Sequence, residues 1–209
     1  MTADNPQSPS PWATVFNLPN QLTSMRLVLS VVLFGFIAWE FYLTAMVLFI
    51  VAAGTDWLDG YFARKYGQVT TLGRILDPFA DKVIVCGTFI FLAAVPAMAA
   101  DPMGVKAWMV VVIVGRELLV TALRSFIEDR GSDFSANMPG KLKMVLQCLA
   151  AGTGLFYLHY PKELIDGMVR VQAPAWCEWM LVVSVWSAVI LTVYSGAIYV
   201  VAAVKLLQK

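Results

Sequence analysis

Charged residues are scarce in this sequence. Asp, Glu, Lys and Arg make up only 14% of the 209 residues, whereas 59% are hydrophobic. A soluble domain keeps roughly a quarter of its residues charged, so this chain has too few charges to cover a water-exposed surface. The formal net charge of +1 also argues against a basic face for nucleic acid. The composition therefore predicts an integral membrane protein that binds no nucleic acid.

Cysteine and histidine are also rare, and the N-terminus lacks the features of a signal peptide. The chain has three cysteines, without a Cys-x-x-Cys pair, and one histidine, so neither a disulfide scaffold nor a zinc site is expected. Residues 1–16 are polar and proline-rich, with no basic stretch before an apolar run. We interpret residues 1–16 as a disordered cytoplasmic tail and residues 17–209 as a single membrane domain.

Long apolar runs are what the sequence has instead. A helix that spans a bilayer needs about 20 mostly apolar residues, and six segments meet this requirement. The sequence therefore predicts an all-α integral membrane protein with six transmembrane helices. The predicted segments are Leu22–Trp39, Phe41–Arg64, Asp77–Ala100, Val105–Arg130, Lys141–Tyr160 and Trp179–Leu206.

The distribution of Lys and Arg predicts the orientation of these segments. With the N-terminus inside, only Lys106, Lys162 and Arg170 of the 15 Lys and Arg residues fall on the outer side. Cytoplasmic loops of membrane proteins carry an excess of Lys and Arg. Both termini are therefore predicted to face the cytoplasm.

Acidic residues cluster at the cytoplasmic ends of two consecutive segments. Asp56 and Asp59 lie near the end of the second segment, and Asp77 and Asp81 lie at the beginning of the third. The i,i+3 and i,i+4 spacings put each pair on one helix face, with Cβ atoms about 5–6 Å apart. Ionisable groups at membrane depth usually face a polar cavity. The two pairs are therefore predicted to line one common site.

Four converging carboxylates predict bound cations. They repel one another, and some stay protonated unless a counter-charge is present. Oxygen ligands suit Mg²⁺, Mn²⁺ or Ca²⁺ rather than zinc. Two such ions about 3.5–4 Å apart form a clamp for phosphoryl substitution. We therefore predict two divalent cations, with Asp56, Asp59, Asp77 and Asp81 as ligands.

Small residues and one arginine accompany the acidic pairs. Gly60 exposes backbone and permits the close approach of a ligand, and the small side chain of Ala63 leaves space on the same helix surface. Arg64 offers a guanidinium fork that suits phosphate. Each residue alone has a structural alternative, since Gly60 could be a packing contact and Arg64 an interfacial anchor. The complete string is more specific: Asp-x2-Asp-Gly-x2-Ala-Arg-x8-Gly-x3-Asp-x3-Asp, from Asp56 to Asp81.

This string resembles, at every specified position, the signature of the CDP-alcohol phosphotransferase family. That family is built from six transmembrane helices with the signature across helices two and three, so the resemblance covers the whole chain. It implies that two Mg²⁺ or Mn²⁺ ions are bound by the four aspartates, that Asp81 is also the general base, and that the protein is a homodimer. It implies a CDP-binding set of Asp56, Gly60, Ala63, Arg64 and Gly73.

Three flanking segments resemble bacterial members of the family that transfer the phosphatidyl group of CDP-diacylglycerol to sn-glycerol 3-phosphate. This likeness implies a location in the bacterial inner membrane, among membrane lipids, with the active site on the cytoplasmic side. The segments are NLPNQLTSMR (Asn17–Arg26), VGRELLVTALR (Val114–Arg124) and GKLKM (Gly140–Met144).

A glycerol 3-phosphate dianion needs cations beyond those that serve the CDP group. The candidates for binding its phosphate are Arg116, Arg124, Lys141 and Lys143. Arg116 could instead pair with Glu117, and the two lysines could anchor a helix at anionic headgroups.

Two other functions remain open from the sequence. The acceptor could be serine, an inositol phosphate or another alcohol, because the aspartate signature does not determine it. Intramembrane acids could also line a cation transport path. Transport predicts acids throughout the membrane depth, but here the outer halves of the predicted helices are almost free of them.

Overall fold

The protein is a helical bundle in the computed structural model, which describes residues 18–66, 71–128, 138–165 and 167–207. Within these ranges, six helices are 21 to 33 residues long. The predicted N-terminal tail lies outside the described residues. The elements are α1 (Leu18–Ala38), α2 (Tyr42–Tyr66), α3 (Thr71–Ala94), α4 (Pro96–Ala100), α5 (Ala107–Glu128), α6 (Met138–Leu158), β1 (Lys162–Ile165), β2 (Met168–Val171) and α7 (Ala175–Leu207).

The six long helices match the six predicted segments, with ends shifted by a few residues. The largest difference is in the third segment, where α3 ends at Ala94 instead of continuing to Ala100. Val95 is extended, with a φ of −70° and a ψ of 122°, and Pro96 begins the short helix α4. A residue that precedes proline is biased away from helical backbone, which explains the break.

A β-hairpin between α6 and α7 was not predicted, so the all-α prediction omits one element. β1 and β2 are antiparallel, with Lys162 opposite Val171 and Ile165 opposite Met168. Gly167 lies in the turn with a φ of 74°, a conformation that favours glycine. The hairpin is four residues per strand, too short for its alternating pattern to stand out in the sequence.

Large apolar side chains lie both inside and outside the bundle. Leu33 and Phe89 are fully buried in the core. On the outside, Val31, Val111 and Trp179 each expose more than 60% of their surface. Among the described residues, one helical stretch, Ala175–Leu206, is both long and apolar enough to span a bilayer by length and hydropathy. The prediction of six spans stays a prediction.

The long helices alternate in direction, which gives the bundle two distinct ends. Polar contacts between α6 and α7 show the antiparallel arrangement: Gln147 contacts Thr192, and Thr153 contacts Ser184. One end carries α4 and the hairpin, and we call it the hairpin end. The other end carries Asp81 near the start of α3, and we call it the aspartate end.

Candidate active site

The backbone brings the aspartate signature to the aspartate end of the bundle. Asp56 and Asp59 lie in the second half of α2, and Asp77 and Asp81 lie in the first half of α3. The side chains of Asp56, Asp59 and Asp77 lie outside the described part of the structure. So do those of the predicted CDP-binding positions, which are Gly60, Ala63, Arg64 and Gly73. Convergence of the four carboxylates therefore stays a prediction.

Asp81 is the signature aspartate whose side chain the structure describes. Arg26 Nη1 of α1 donates a hydrogen bond to Asp81 Oδ1 at 2.7 Å. The Arg26 side chain is 3% exposed, whereas that of Asp81 is 29% exposed. A buried guanidinium thus holds one oxygen of a carboxylate that remains partly exposed. This geometry fixes the orientation of Asp81.

A second polar network lies between α5, α6 and α7. Its centre is the Glu117 carboxylate, which accepts hydrogen bonds from Lys143 and from Arg116 Nη1, the latter at 3.3 Å. Gln147 Nε2 lies 3.5 Å from Glu117 Oε1 and donates to Thr192 Oγ1 at 3.1 Å. Glu117 and Lys143 are both buried. The sequence alternative that Arg116 pairs with Glu117 is therefore observed.

Tyr199 of α7 contacts both arginines of the predicted acceptor site. The Cζ atoms of Arg116 and Arg124 lie 5.5 and 5.8 Å from the centroid of its ring. Arg124 Nη2 donates to the Tyr199 hydroxyl at 3.3 Å, and Arg116 Nη2 donates to Ser195 Oγ at 3.1 Å. The Nε atoms of Arg116 and Arg124 are buried without a hydrogen-bond partner in the part of the chain that the structure describes.

The structure therefore unites three of the four predicted acceptor cations. Lys143 and Arg116 pair with the Glu117 carboxylate, and Arg124 joins them through the Tyr199 ring. Among the described residues, the network therefore has more cations than carboxylates. Lys82, the neighbour of Asp81, is within electrostatic range of Glu117 and adds to this excess. Lys141, the fourth predicted cation, is exposed.

Sequence reasoning missed Arg26 and Tyr199 as site residues. Arg26 was visible as a lone charge within an apolar helix, a position that usually requires a buried partner. The sequence signal for Tyr199 was its helical spacing from Thr192 and Ser195, since the three are polar residues on one face of an otherwise apolar helix.

The donor set of the aspartate end fits divalent cations. The backbone puts two aspartate pairs on consecutive helices, and every predicted ligand is a carboxylate oxygen, as Mg²⁺ and Mn²⁺ prefer. Among the side chains that the structure describes, no group of three or more His, Cys, Asp or Glu forms a metal site. Asp81 is the only one of the four predicted ligands whose side chain belongs to this described set, so the finding does not apply to the other three.

Comparison with known proteins gives an independent result. A family model described as CDP-alcohol phosphatidyltransferase matches residues 16–194. The chain is 35% identical to the CDP-diacylglycerol–glycerol-3-phosphate 3-phosphatidyltransferase of Bacillus subtilis (strain 168). The similarity extends over 197 residues, which are 87% of this chain and 92% of that protein.

Two further relatives are similar over comparable lengths. The enzyme of the same name from Haemophilus influenzae is 30% identical over 191 residues, which are 83% of this chain and 90% of that protein. A probable phosphatidylglycerophosphate synthase of Mycobacterium tuberculosis (strain H37Rv) is 35% identical over 202 residues, which are 92% of this chain and 84% of that protein.

Proposed function

The chain belongs to the CDP-alcohol phosphatidyltransferase family, and we propose that it transfers the phosphatidyl group of CDP-diacylglycerol to sn-glycerol 3-phosphate. The products are phosphatidylglycerophosphate and CMP, so the enzyme serves phospholipid biosynthesis. The names of the bacterial relatives support this acceptor.

The observation that carries the acceptor assignment is the positive excess of the buried network. Arg116 and Lys143 pair with a single carboxylate, Glu117, and Arg124 lies against the same Tyr199 ring as Arg116. Burying an uncompensated charge is costly, and an unpaired buried donor costs about 1–3 kcal/mol. The Nε–H groups of the two arginines are such donors among the described residues. A phosphate dianion would neutralise the network and accept their hydrogen bonds, whereas serine has no group of that charge.

The residues of the aspartate signature would bind the donor substrate, CDP-diacylglycerol. Asp56, Asp59, Asp77 and Asp81 would hold two Mg²⁺ or Mn²⁺ ions, which when bound neutralise the diphosphate and the departing CMP. Gly60, Ala63, Arg64 and Gly73 would surround the CDP group, as the family resemblance implies. Arg64 would add a fixed cation for a phosphate oxygen.

The residues of this chain account for each step of the transfer. The network cations bind the acceptor phosphate and orient the 1-hydroxyl toward the β-phosphorus of the lipid. Asp81 accepts the hydroxyl proton while the new oxygen–phosphorus bond forms. The bond between the β-phosphorus and the bridging oxygen breaks, and CMP leaves. Arg26 keeps the Asp81 carboxylate oriented during proton transfer through its 2.7 Å hydrogen bond.

The proposed site requires a membrane interface, because the tails of the donor stay in lipid. We propose that all six long helices span the bacterial inner membrane, with both termini and the aspartate end on the cytoplasmic side. Helices of 21 residues or more reach about 30 Å, the thickness of the hydrocarbon core. The exposed apolar faces of the bundle would contact lipid, and homodimerisation would cover part of them.

A panel of acceptors tests this function directly. The purified protein is assayed in detergent micelles with CDP-diacylglycerol, Mg²⁺ and labelled glycerol 3-phosphate, serine or inositol phosphate. We expect CMP release with glycerol 3-phosphate and at most background release with the others. Preferential use of serine or inositol phosphate would overturn the acceptor assignment while leaving the family chemistry intact.

Cation transport is the alternative from another functional class, and the positions of buried charges disfavour it. Arg26 and Lys143, two buried charged side chains of the described residues, lie in the half of the bundle that contains Asp81. The third, Glu117, lies at the middle of α5. A transport path needs polar groups through the whole membrane depth. Cation flux into liposomes that contain the protein, without substrate, would support transport.

A further inference from the structure

The last helix carries a stripe of polar and small residues on one face. Thr192, Ser195, Gly196 and Tyr199 have the spacing i, i+3, i+4 and i+7, so they lie one above another on α7. Thr192, Ser195 and Tyr199 are buried to 2% exposure or less, whereas Tyr194 on another face of α7 is 58% exposed. The stripe therefore faces the bundle interior.

Each polar member of this stripe contacts a residue of the cationic network. Thr192 Oγ1 accepts from Gln147, which also lies against Glu117. Ser195 Oγ accepts from Arg116 at 3.1 Å. The Tyr199 hydroxyl accepts from Arg124 at 3.3 Å. The stripe supplies hydrogen-bond acceptors to these donors but no negative charge, so the positive excess of the network is preserved.

Tyr199 makes the most extensive contact of the stripe. Its ring lies within 6 Å of both guanidinium carbons, at 5.5 Å from Arg116 Cζ and 5.8 Å from Arg124 Cζ. An aromatic face attracts a cation by about 0.5–2 kcal/mol, more when the pair is desolvated. One buried ring thus stabilises two like charges that would otherwise repel each other.

Two glycines permit this close packing. A Cβ atom on Gly196 would lie 3.1 Å from Arg116 Cγ, and a Cβ atom on Gly140 would lie 3.3 Å from the Tyr199 hydroxyl. Both distances are shorter than ordinary van der Waals contact. Gly140 opens the GKLKM segment, so the glycine of that segment brings α6 against Tyr199.

We propose that Tyr199 is a positioning residue of the acceptor site. Its ring and hydroxyl hold the Arg116 and Arg124 side chains in fixed places and leave the Nε–H group of each arginine for a phosphate-bearing ligand. The stripe on α7 thereby helps to select an acceptor that carries a phosphate group. This inference deepens the proposed function and rests on it.

The test compares two substitutions at Tyr199 with a matched control on the same helix. Tyr199→Leu removes the ring and the hydroxyl, Tyr199→Phe removes only the hydroxyl, and Tyr194→Leu makes the same change at an exposed position. For Tyr199→Leu we expect the KM for glycerol 3-phosphate to rise about tenfold or more, with the KM for CDP-diacylglycerol within about twofold. Tyr199→Phe should give an intermediate rise, and Tyr194→Leu should give none.

A double-mutant cycle distinguishes positioning from simple packing. If Tyr199 acts through Arg124, then Tyr199→Leu combined with Arg124→Ala raises the acceptor KM by much less than the product of the two single effects. Melting temperatures in detergent accompany each assay. An unchanged acceptor KM in folded Tyr199→Leu protein, or a kcat loss with both KM values unchanged, would overturn the proposal.

Binding of inorganic phosphate separates this inference from the proposed function. The wild-type acceptor panel tests the function, and calorimetry with phosphate and no lipid tests the site itself. We expect wild type and Tyr194→Leu to bind phosphate alike and Tyr199→Leu to bind it at least about tenfold more weakly. Equal phosphate affinity in Tyr199→Leu would overturn the inference even if wild type uses glycerol 3-phosphate. Weakened phosphate affinity would support it even if another phosphorylated acceptor is the substrate.

Discussion

The two ends of the bundle differ in how deeply their charged side chains are buried. At the hairpin end, Lys162 bonds to Glu40, which is 66% exposed, and to the Tyr42 hydroxyl. Asp101 accepts a hydrogen bond from the Tyr157 hydroxyl. At the aspartate end, Lys143 and Arg116 pair with the buried carboxylate of Glu117, and Arg124 lies against Tyr199 beside Arg116.

From this difference we infer that the surface pairs serve the fold, whereas the buried charges of the aspartate end serve to bind a ligand. A pair at the surface is solvated and screened and contributes about 0–1 kcal/mol. A buried network with surplus charge is retained against a desolvation cost of several kcal/mol per ion. Such a cost is offset when a substrate of opposite charge occupies the site. Substitutions at the aspartate end should therefore change catalysis, and substitutions at the hairpin end should not.

Removal of divalent cations should have the largest effect of all. Because four converging carboxylates would repel one another without bound cations, rigorous chelation with EDTA should abolish CMP release. Addition of Mg²⁺ or Mn²⁺ should restore it. Turnover is measured with saturating lipid and glycerol 3-phosphate before and after chelation. Full activity in the chelated enzyme would exclude the two-metal site.

Substitution of the proposed general base should have the next largest effect. Asp81→Asn keeps the shape of the side chain and one carbonyl oxygen for Arg26, but the amide cannot accept the hydroxyl proton. Loss of a general base lowers the rate by about 10²–10⁴-fold. We expect kcat to fall within that range while CDP-diacylglycerol still binds, as measured by calorimetry with Mg²⁺.

The other signature aspartates provide the control for Asp81. Asp56→Asn and Asp77→Asn should lose metal and nucleotide affinity together with turnover. If Asp81→Asn behaves in the same way, its main role is metal ligation. Near-normal turnover in Asp81→Asn would remove this residue from the chemistry.

Loss of the buried lysine should destabilise the protein more than any change at the hairpin end. Lys143→Met leaves Glu117 buried with Arg116 as its remaining charged partner among the described residues. Breaking a buried pair costs about 3–5 kcal/mol, and the partner that remains should keep the loss near 3 kcal/mol. The melting temperature in detergent measures this loss. A variant as stable as wild type would show that Lys143 is not needed to neutralise Glu117.

Loss of one cation of the predicted acceptor site should weaken the binding of only one substrate. Arg116→Ala removes a guanidinium from the network, so glycerol 3-phosphate should bind about tenfold more weakly, or about 1.4 kcal/mol. The KM for CDP-diacylglycerol should stay nearly constant. If the nucleotide lipid is lost instead, Arg116 belongs to the donor site.

The sequence was sufficient to predict the six long helices. Apolar runs of about 20 residues depend on local composition, so α1, α2 and α5–α7 appear close to their predicted limits. The break in α3 at Val95 was missed, although Pro96 was the local signal for it. The hairpin was missed because its two strands depend on pairing with each other.

The aspartate signature could be recognised in the sequence because its residues recur at fixed spacing, and its role as a metal site stays a prediction. Its partners could not be recognised in this way, because the pair of Arg26 with Asp81 joins residues 55 positions apart. The contact of Arg124 with Tyr199 spans 75 positions. Such contacts depend on which helices pack together, and a single sequence carries little information on packing. Composition likewise could not show that Lys143 is paired with Glu117.

The smallest effect is expected from the same Lys→Met change at the hairpin end. Lys162→Met removes the partner of Glu40, and an exposed pair of this kind contributes about 0–1 kcal/mol. The lysine is the partner to replace because Glu40 has a φ of 63°, and a substitution of Glu40 would also change backbone strain. Both KM values and kcat should match wild type. A large loss of acceptor affinity in Lys162→Met would contradict the division of roles between the two ends.

The pH dependence of that small effect has a defined sign. Partial burial lowers the pKa of Lys162, but its hydrogen bonds to Glu40 and Tyr42 raise it more, and the net pKa lies above the ordinary value. A raised pKa contributes stability that is complete below the unfolded value of about 10.4 and is lost only as the pH rises through the folded value. The difference in melting temperature between wild type and Lys162→Met should therefore stay constant between about pH 6 and pH 9. A difference that changes within this window would mean that Lys162 titrates there, and its pair with Glu40 would then not be the fixed contact that the hairpin end requires.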